Sequence, residues 1–569
     1  MVSFEDRAQE WLLGPYDVAT KDAIRALDKT TLQDAFYTDL SFGTGGLRGL
    51  MGVGTNRLNV YTIRKTTQGL ANYILKAGNP KLGVFIGFDS RHHSVEFAKE
   101  TALVLAGNGI PVFLLKEMRP TPFISFGCLY KKCQAAVMIT ASHNPKEYNG
   151  YKVYWDDGAQ VVAPHDTGIM QECALIKSLD QIKLANDTTS LITLLGNDLD
   201  EPYLKELYQL QQFPQQNKEK GAILKISYTS LHGTGITLMP KALTQWGFSS
   251  YNFVEKQIIP DGNFSTVKFP NPEYKETLQM GMTQLESSQS HILIATDPDA
   301  DRLAVVARHQ GKSVILTGNQ IASLCVYFLC ETLTEQKKLP AKPAFVTTIV
   351  TTELLKKISS TYNIPCFETL TGFKYIGEKI HLWETEKDGY NFLFGAEESY
   401  GFLLGTYARD KDAISAGCFI SEIALFLKLQ NKTLIDYLEE IYRKFGFFRE
   451  KQGSFDFKPG KEGLDEIHTL MTRLRTDLPT SLCSQKVIEV QDFTKKTSHN
   501  LPPSDVLLFR LADQTKIIVR PSGTEPKIKI YAAIQEKEFS SLEQALSKSD
   551  GRIDILLKTL EQEMTLLLP

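Results

Sequence analysis

Three aspartates alternate with other residues in the run Asp297-Pro298-Asp299-Ala300-Asp301-Arg302, set between two apolar stretches, Ile292 to Ala295 and Leu303 to Val306. In extended chain, alternate side chains share one side, so the three carboxylates converge. Oxygen-only ligands with three charges on a tight loop suit a hard cation, and favour magnesium. An EF-hand opens with the same D-x-D-x-D spacing, but its glycine is here Arg302 and its twelfth-position glutamate is Arg308. The EF-hand reading therefore fails. A solvated acidic turn is the bland alternative, and regular spacing between two buried strands argues against it.

A second candidate is the serine of Thr140-Ala141-Ser142-His143-Asn144-Pro145, at the end of the apolar run Ala135 to Ile139. Loops at strand ends are where α/β sheets hold their ligands. Serine is a weak nucleophile until a base or metal activates it, and His143 is adjacent. Ser, Asn and Pro also favour a plain turn, so the segment alone carries both readings. No G-x-S-x-G elbow accompanies it.

Two loops have the makings of phosphate sites. Gly43-Thr44-Gly45-Gly46-Leu47-Arg48-Gly49 combines closely approaching backbone N–H groups with one guanidinium. It matches neither the Walker A nor the dinucleotide spacing. Arg520-Pro521-Ser522-Gly523-Thr524-Glu525-Pro526-Lys527 joins two strand-like runs and offers Arg, Lys, two hydroxyls and a flexible glycine. A glycine-rich hairpin is the alternative for each. Gly395-Ala396-Glu397-Glu398-Ser399-Tyr400-Gly401 follows a further apolar strand. Its carboxylates and hydroxyl could bind sugar hydroxyls, but alone it reads as a solvated loop.

The elements that must position these loops recur along the chain. Gly83 to Phe88, Pro111 to Leu115 and Ala135 to Thr140 are short apolar runs separated by helical patterns. That alternation predicts α/β units with buried strands. The first 35 or so residues read as helical, with Trp11, Leu12, Leu13, Ile24, Leu27 and Leu32 as apolar contacts. Gln211 to Lys220 reads as a polar linker, the pattern changes again around Lys444 to Gly460, and a weaker break precedes Asn319.

Length and composition bound the rest. A chain of 569 residues exceeds one hydrophobic core, so several domains are expected. Lys and Arg number 63 against 66 Asp and Glu, a net charge of −3. That balance argues against a nucleic-acid partner. The eight cysteines are scattered with no C-x-x-C pair, which predicts buried free thiols. Neither a signal peptide at Met1 to Arg7 nor an 18-residue apolar stretch is evident, so a cytoplasmic, non-membrane protein is expected. Oligomeric state is unreadable.

Taken together and in this order, the five segments resemble the α-D-phosphohexomutase family, over nearly the whole chain. The run Thr140 to Trp155, with Lys146-Glu147-Tyr148-Asn149-Gly150-Tyr151-Lys152, is similar to the branch that also holds phosphopentomutase and glucose 1,6-bisphosphate synthase. The resemblance implies three related mixed α/β domains and a smaller C-terminal α+β domain around a central cleft. The implied division is 1–212, 213–314, 315–445 and 446–569. It further implies that Ser142 is the phosphoserine and that Asp297, Asp299 and Asp301, with an oxygen of the Ser142 phosphate, hold Mg2+. Arg48, Lys152 and Arg302 would steady the transferring phosphoryl. Glu397 and Ser399 would bind sugar hydroxyls, and Arg520, Ser522, Gly523 and Thr524 the non-reacting phosphate. Thr371, Gly372 and Lys374 match the family's sugar-specificity loop, and Arg409 and Lys411 a further basic cluster. Thr44 and Gly45 would line the substrate site with Arg48. The implied activity is interconversion of glucose 1- and 6-phosphates through a sugar bisphosphate, with glucose 1,6-bisphosphate as activator. Mannose and pentose phosphates, and bisphosphate synthesis, are alternatives on the same scaffold. The general base stays open among Lys152, His143 and Lys411. A metal-dependent serine phosphatase is disfavoured because it would make the Arg520 loop superfluous.

Overall fold

The apolar run Val84 to Phe88 becomes a strand buried on both faces, because the chain supplies helices for each side. Val84, Ile86 and Phe88 join one core with Leu70, Phe97 and Leu105. On the opposite face, Gly87 and Phe85 lie against Ile124 and Gly127 of the helix Thr121–Lys131, where a Cβ on either glycine would meet the partner side chain. Burial on both faces explains why these strands read as continuous apolar runs rather than alternating ones.

The computed structural model of the protein describes residues 3–40, 42–43, 46–458, 461–495, 501–522 and 526–568. Two compact bodies result, Met1–Ile321 with Gly372–Gly395 and Ser399–Thr433, and Ala322–Thr371 with Ala396–Glu398 and Leu434–Pro569.

In the first body a seven-stranded sheet runs in the order Phe42–Gly43, Gly46–Leu50, Tyr148–Trp155, Ala135–Ile139, Val84–Phe88, Val112–Leu115, Ile192–Leu195. The last four strands are parallel and the first three join them antiparallel. A five-stranded sheet follows, ordered Lys312–Leu316, Leu303–His309, Ile292–Thr296, Ile226–Thr229, Tyr251–Phe253. Its centre pairs Ile292–Thr296 antiparallel with Leu303–His309 and parallel with Ile226–Thr229. The N-terminal helices Phe4–Leu13, Val18–Arg25 and Lys29–Phe36 start on Ser3, Asp17 and Asp28, whose side chains accept from backbone N–H groups of the first turn. They pack around Trp11, Ile24 and Phe36. Leu13 departs from the expected contact set and lies 77% exposed.

The second body holds the parallel pair Pro343–Thr348 and Cys366–Thr369, with the helix Leu354–Thr361. It also carries an antiparallel six-stranded sheet, in the order Phe447–Asp456, Lys527–Glu536, Lys516–Pro521, Leu507–Leu511, Gln485–Asp492, Ser481–Leu482. Along Lys527–Glu536 burial alternates residue by residue. One face of this sheet is covered by Leu470, Met471, Ile553 and Leu560 from the helices Lys461–Thr476 and Leu542–Thr565. The C-terminal part is therefore α+β, and the parallel-cored sheets before it are α/β.

The polar stretch 211–220, expected as a linker, is instead a short helix, Pro214–Lys220. One buried acceptor holds the start of this helix and its Asn217. Glu422, on the helix Ala413–Lys428, accepts from the backbone N–H groups of Gln212 (3.0 Å) and Phe213 (2.8 Å) and from Asn217 Nδ2 (2.6 Å). Phe213 stacks on Phe426 beside it.

Burial pushes the Glu422 carboxyl up to about 7 from its ordinary 4.5, and these donors only partly offset the effect. A carboxyl raised in the folded state contributes stability that is present below about pH 4.5 and is lost as pH rises through about 7. The contribution is bounded at about 3 kcal/mol. Glu422→Gln removes this titration. Melting temperature is therefore expected to fall less between mildly acidic and mildly alkaline buffer in the variant than in the wild type. Parallel curves for the two proteins would rule the effect out.

Candidate active site

Thr296 pairs with Leu303, so Asp297 to Arg302 form the tip of a β-hairpin. Asp297 Oδ1 accepts the backbone N–H groups of Asp301 (3.1 Å) and Arg302 (3.0 Å), folding the tip back on its own first carboxylate. Two neighbouring segments fasten the tip from outside. Thr121, in the first turn of the helix Thr121–Lys131, donates its N–H to Asp299 O (2.8 Å) and its hydroxyl to Asp299 Oδ2 (2.7 Å). Thr234 N–H donates to Pro298 O (2.7 Å). Its neighbour Gly233 has to be glycine, because a Cβ there would stand 2.3 Å from Pro298 Cα.

The result is a fully buried group of three carboxylates with ligand oxygens within 4.8 Å of one another. Lys152 Nζ bridges Asp299 Oδ2 (2.8 Å) and Asp301 Oδ2 (3.0 Å). Lys411 Nζ lies 3.3 Å from Asp301 Oδ2, with Asp410 Oδ1 at 3.0 Å. The remaining oxygens, Asp299 Oδ1 and Asp301 Oδ1, are buried without a hydrogen-bond partner among the described residues. Three carboxylates against two ammonium groups, with orphaned oxygens, fit a hard divalent cation. Burial, then Asp299 and Asp301, hold the Asp297 carboxyl well above the usual range. Burial also works against ionisation of Asp301, but Lys152, Lys411 and Arg302 outweigh it and pull that group down.

Ser142 follows the strand Ala135–Ile139 and is 1% exposed, with φ 53 in the left-handed region. Its N–H donates to Thr140 Oγ1 (2.8 Å) and its Oγ to Asp297 Oδ2 (2.9 Å). His143 Nδ1 lies 3.1 Å from the same Oγ. Burial and then the guanidiniums of Arg302 and Arg48 hold the His143 imidazole well below its ordinary pKa. Arg48 lies opposite Gly150 in the pairing of Gly46–Leu50 with Tyr148–Trp155. A Cβ on Gly150 would come 2.4 Å from Thr140 O, so glycine lets the strand pass behind the serine loop. Arg48 Nη1 donates to Asn144 Oδ1 (2.9 Å), and its buried Nε has no partner among the described residues.

The structure thus brings Ser142, His143, Arg48, Lys152, Lys411 and the three aspartates together. Arg302 shares the loop, but its guanidinium pairs with Glu273. Arg409 pairs with Glu384, and its backbone N–H reaches Ser125 Oγ (2.8 Å). Lys374 lies 3.8 Å from the Asp166 carboxylate, and burial lowers its pKa. Gly372, at φ 117, caps the helix Phe373–Thr385. Ser399 lies half-buried in the turn before the strand Gly401–Leu404.

In the second body, Glu397 is buried at the end of the strand Asn391–Glu397. Arg520 Nη1 donates to Thr371 Oγ1, bringing two sequence-predicted residues together. Ser522 N–H donates to Lys527 O (2.8 Å), closing a hairpin on Lys516–Pro521 and Lys527–Glu536. Thr44, Gly45, Gly523 and Thr524 lie outside the described residues. Phe42–Gly43 pairs antiparallel with Gly46–Leu50, so the flanks of the first glycine-rich segment form a hairpin as well. Sequence reasoning passed over Arg91, Thr121 and Gly233-Thr234. Only the glycine offered a local signal.

Three family models match in succession: phosphoglucomutase/phosphomannomutase α/β/α domain I over residues 39–180, domain II over 201–311 and domain III over 317–445. A phosphoglucomutase of Staphylococcus haemolyticus is 37% identical over 537 residues, covering 90% of this chain and 94% of that protein. One from Staphylococcus aureus is 35% identical over 552 residues, 94% and 97% of the two chains. Among solved structures, parafusin (a phosphoglucomutase) from Paramecium in its open form superposes with TM-score 0.69 at 18% identity, over 93% of this chain and 96% of that one. A phosphoglucomutase/phosphomannomutase family protein from Burkholderia thailandensis gives 0.65 at 18%, over 91% and 97%. These two share the fold. Three α/β/α domains of one type, with a buried aspartate triad facing a serine, define a class of sugar-phosphate mutases. The chain belongs to the phosphoglucomutase/phosphomannomutase family.

Asp299→Asn removes one charge from the triad. Calorimetric titration with Mg2+ is expected to show an affinity reduced by at least the roughly ten- to hundred-fold that loss of an outer partner costs. Unchanged affinity would exclude Asp299 as a ligand.

Proposed function

We infer that this chain is a phosphoglucomutase, an intramolecular phosphotransferase that interconverts glucose 1-phosphate and glucose 6-phosphate. The observation that carries the reading is Ser142 Oγ, buried and 2.9 Å from Asp297 in the aspartate triad. Relatives with that activity in their names, 35–37% identical over nine-tenths of the chain, support it.

Ser142 carries the phosphoryl group between turnovers. A hydroxyl of the sugar phosphate attacks that phosphorus. The P–Oγ bond breaks, a new P–O bond forms, and the hydroxyl proton passes to a base on the protein. The product is a sugar bisphosphate. After it turns round, Ser142 Oγ attacks its other phosphate. The bond from that phosphorus to the sugar oxygen breaks, and the sugar oxygen takes back the proton held by the base, which restores the phosphoserine and releases the isomer. Lys152 and Arg48 supply positive charge to the oxygens of the transferring group, and such electrostatic stabilisation contributes most to catalysis of this kind. Asp297, Asp299 and Asp301 would hold magnesium, which when bound would supply further positive charge to those oxygens. Glu397 and Ser399 bind sugar hydroxyls, Thr371, Gly372 and Lys374 shape sugar preference, and Arg409 and Lys411 extend the basic lining. Arg302 assists at the phosphoryl, Thr44 and Gly45 line the substrate site, and Arg520, Ser522, Gly523 and Thr524 hold the phosphate that is not reacting. Glucose 1,6-bisphosphate activates the enzyme by restoring a lost serine phosphate.

The division into 1–212, 213–314, 315–445 and 446–569 belongs to the same proposal. So does a cytoplasmic location, supported by eight free cysteines, five of them buried. No helix among the described residues is long and apolar enough to cross a membrane.

Ser142→Ala is expected to abolish mutase turnover with the fold intact, and mass spectrometry of active protein should place phosphate on Ser142. A phosphate found elsewhere, or normal turnover in the variant, would sink the assignment. Arg520→Ala is expected to lower kcat/KM by roughly ten- to a hundred-fold, the value of one charge-assisted contact of about 1.5–3 kcal/mol. The same variant should release bisphosphate more readily while still accepting phosphate on Ser142. Unchanged kinetics would reduce that loop to a hairpin.

A further inference from the structure

The backbone around Ser142 is held in a conformation it would not adopt alone. A left-handed residue other than glycine costs on the order of 1–2 kcal/mol. Several carbonyl oxygens of this loop also turn toward a single point, where their negative ends oppose one another. The group at that point is Arg91. Its Nη2 donates to the carbonyls of Ser142 and Asn144, and its Nη1 to those of Pro145 (2.8 Å) and Tyr148 (3.0 Å). One guanidinium therefore ties four carbonyls across seven residues.

Arg91 is itself built in. Its side chain is fully buried, with Nε 3.3 Å from Asp89 Oδ2. The other oxygen of Asp89 accepts from Arg91 N–H (2.9 Å) and Ser94 Oγ (2.8 Å). Asp89 N–H in turn donates to Ile139 O (3.1 Å), the last residue of the strand that leads to Ser142. The face of the guanidinium is covered by Phe264, whose ring centroid lies 4.8 Å from Arg91 Cζ. Phe264 is 1% exposed and has φ 48. It belongs to the stretch matched by the family's second domain, which also carries the aspartate hairpin. The segment around it touches the Arg91 turn again, through His92 Nε2 and Asn263 Oδ1 at 3.0 Å.

We propose that Arg91 is a positioning residue for phosphoryl transfer, holding Ser142 Oγ against Asp297, and that Phe264 ties this hold to the domain bearing the aspartates. The proposal rests on the reading of Ser142 as the phosphoryl carrier. Lysine cannot replace Arg91, because an ammonium is a point charge with three donors and no planar fork. With fewer than four carbonyls held, the loop relaxes and Oγ moves. Displacement of a reacting group by about 1 Å costs roughly 10²-fold in rate.

The test compares wild type, Arg91→Lys, Phe264→Leu and Ser142→Ala with saturating Mg2+. Readouts are kcat, KM for glucose 1-phosphate, melting temperature, and the quench-flow rate of Ser142 phosphorylation by glucose 1,6-bisphosphate. Arg91→Lys is expected to lose roughly 10²-fold in kcat and in phosphorylation rate, with KM within about two-fold and the cooperative melt retained. Phe264→Leu, which removes only the ring over the cation, is expected to lose roughly three- to ten-fold in the same two rates. Rates for Arg91→Lys near those of wild type would overturn the proposal. So would losses that merely follow the unfolded fraction. Should Arg91→Lys fail to fold, Phe264→Leu decides, and unchanged phosphorylation there overturns the proposal. Normal turnover in Ser142→Ala would instead remove the carrier reading, which separates the two failures.

Discussion

Three carboxylates buried within 4.8 Å of one another are the constraint around which the first body is organised. Removing charges from water costs several kcal/mol per ion unless partners are supplied. Lys152 and Lys411 arrive from different elements to meet Asp299 and Asp301. Thr121 and Thr234 pin the hairpin tip so that the carboxylates cannot swing out to solvent. What these partners leave uncompensated surfaces at Asp297, whose carboxyl is held well above its usual range. A divalent cation would relieve that residue and also take up the orphaned oxygens of Asp299 and Asp301. The site is thus poised for positive charge, whether it comes from a metal or from the cationic side chains.

The serine loop answers the same constraint from the neighbouring sheet. Parallel strands end together, so the turns after Val84–Phe88 and Ala135–Ile139 emerge side by side. That adjacency is what lets a residue three positions past one strand hold carbonyls three to nine positions past the other. Gly150 lets the return strand pass close behind. Ser142 therefore faces Asp297 because two sheets are joined there, by a few polar contacts and by the Phe264 ring.

Legibility in the sequence followed how local each signal was. Asp297, Asp299, Asp301 and Ser142 sit in short runs at strand ends, where residue type and spacing already express the chemistry. Alternation of apolar runs with helical patterns was enough for the α/β class. The supporting residues were not readable, because their meaning depends on distant partners. Arg91 and Ser142 are 51 positions apart, and Thr121 and Asp299 are 178 apart. The polar run 211–220 resembled a linker because its acceptor, Glu422, lies some two hundred residues further on. Leu13 read as a contact by apolarity alone, yet the three-helix cluster closes around Trp11 and leaves it outside.

The role proposed for Arg520 bears on why the reaction is transfer and not hydrolysis. Hydrolysis of a phosphoserine needs one set of cations, which the role proposed for the group around Ser142 would provide. The second body nevertheless carries its own guanidinium, Arg520, on an antiparallel hairpin and oriented by Thr371. A guanidinium fork suits an anion with several oxygens. In a hydrolase such a loop would have nothing to bind once the serine phosphate had left. In a mutase it would have a continuous task, because one phosphate of the bisphosphate must be retained while the other reacts. Retention also keeps the intermediate from escaping before its second transfer, so a second set of donors raises the yield of isomer per encounter. The role proposed above for Arg520 is therefore more simply explained by internal transfer than by hydrolysis.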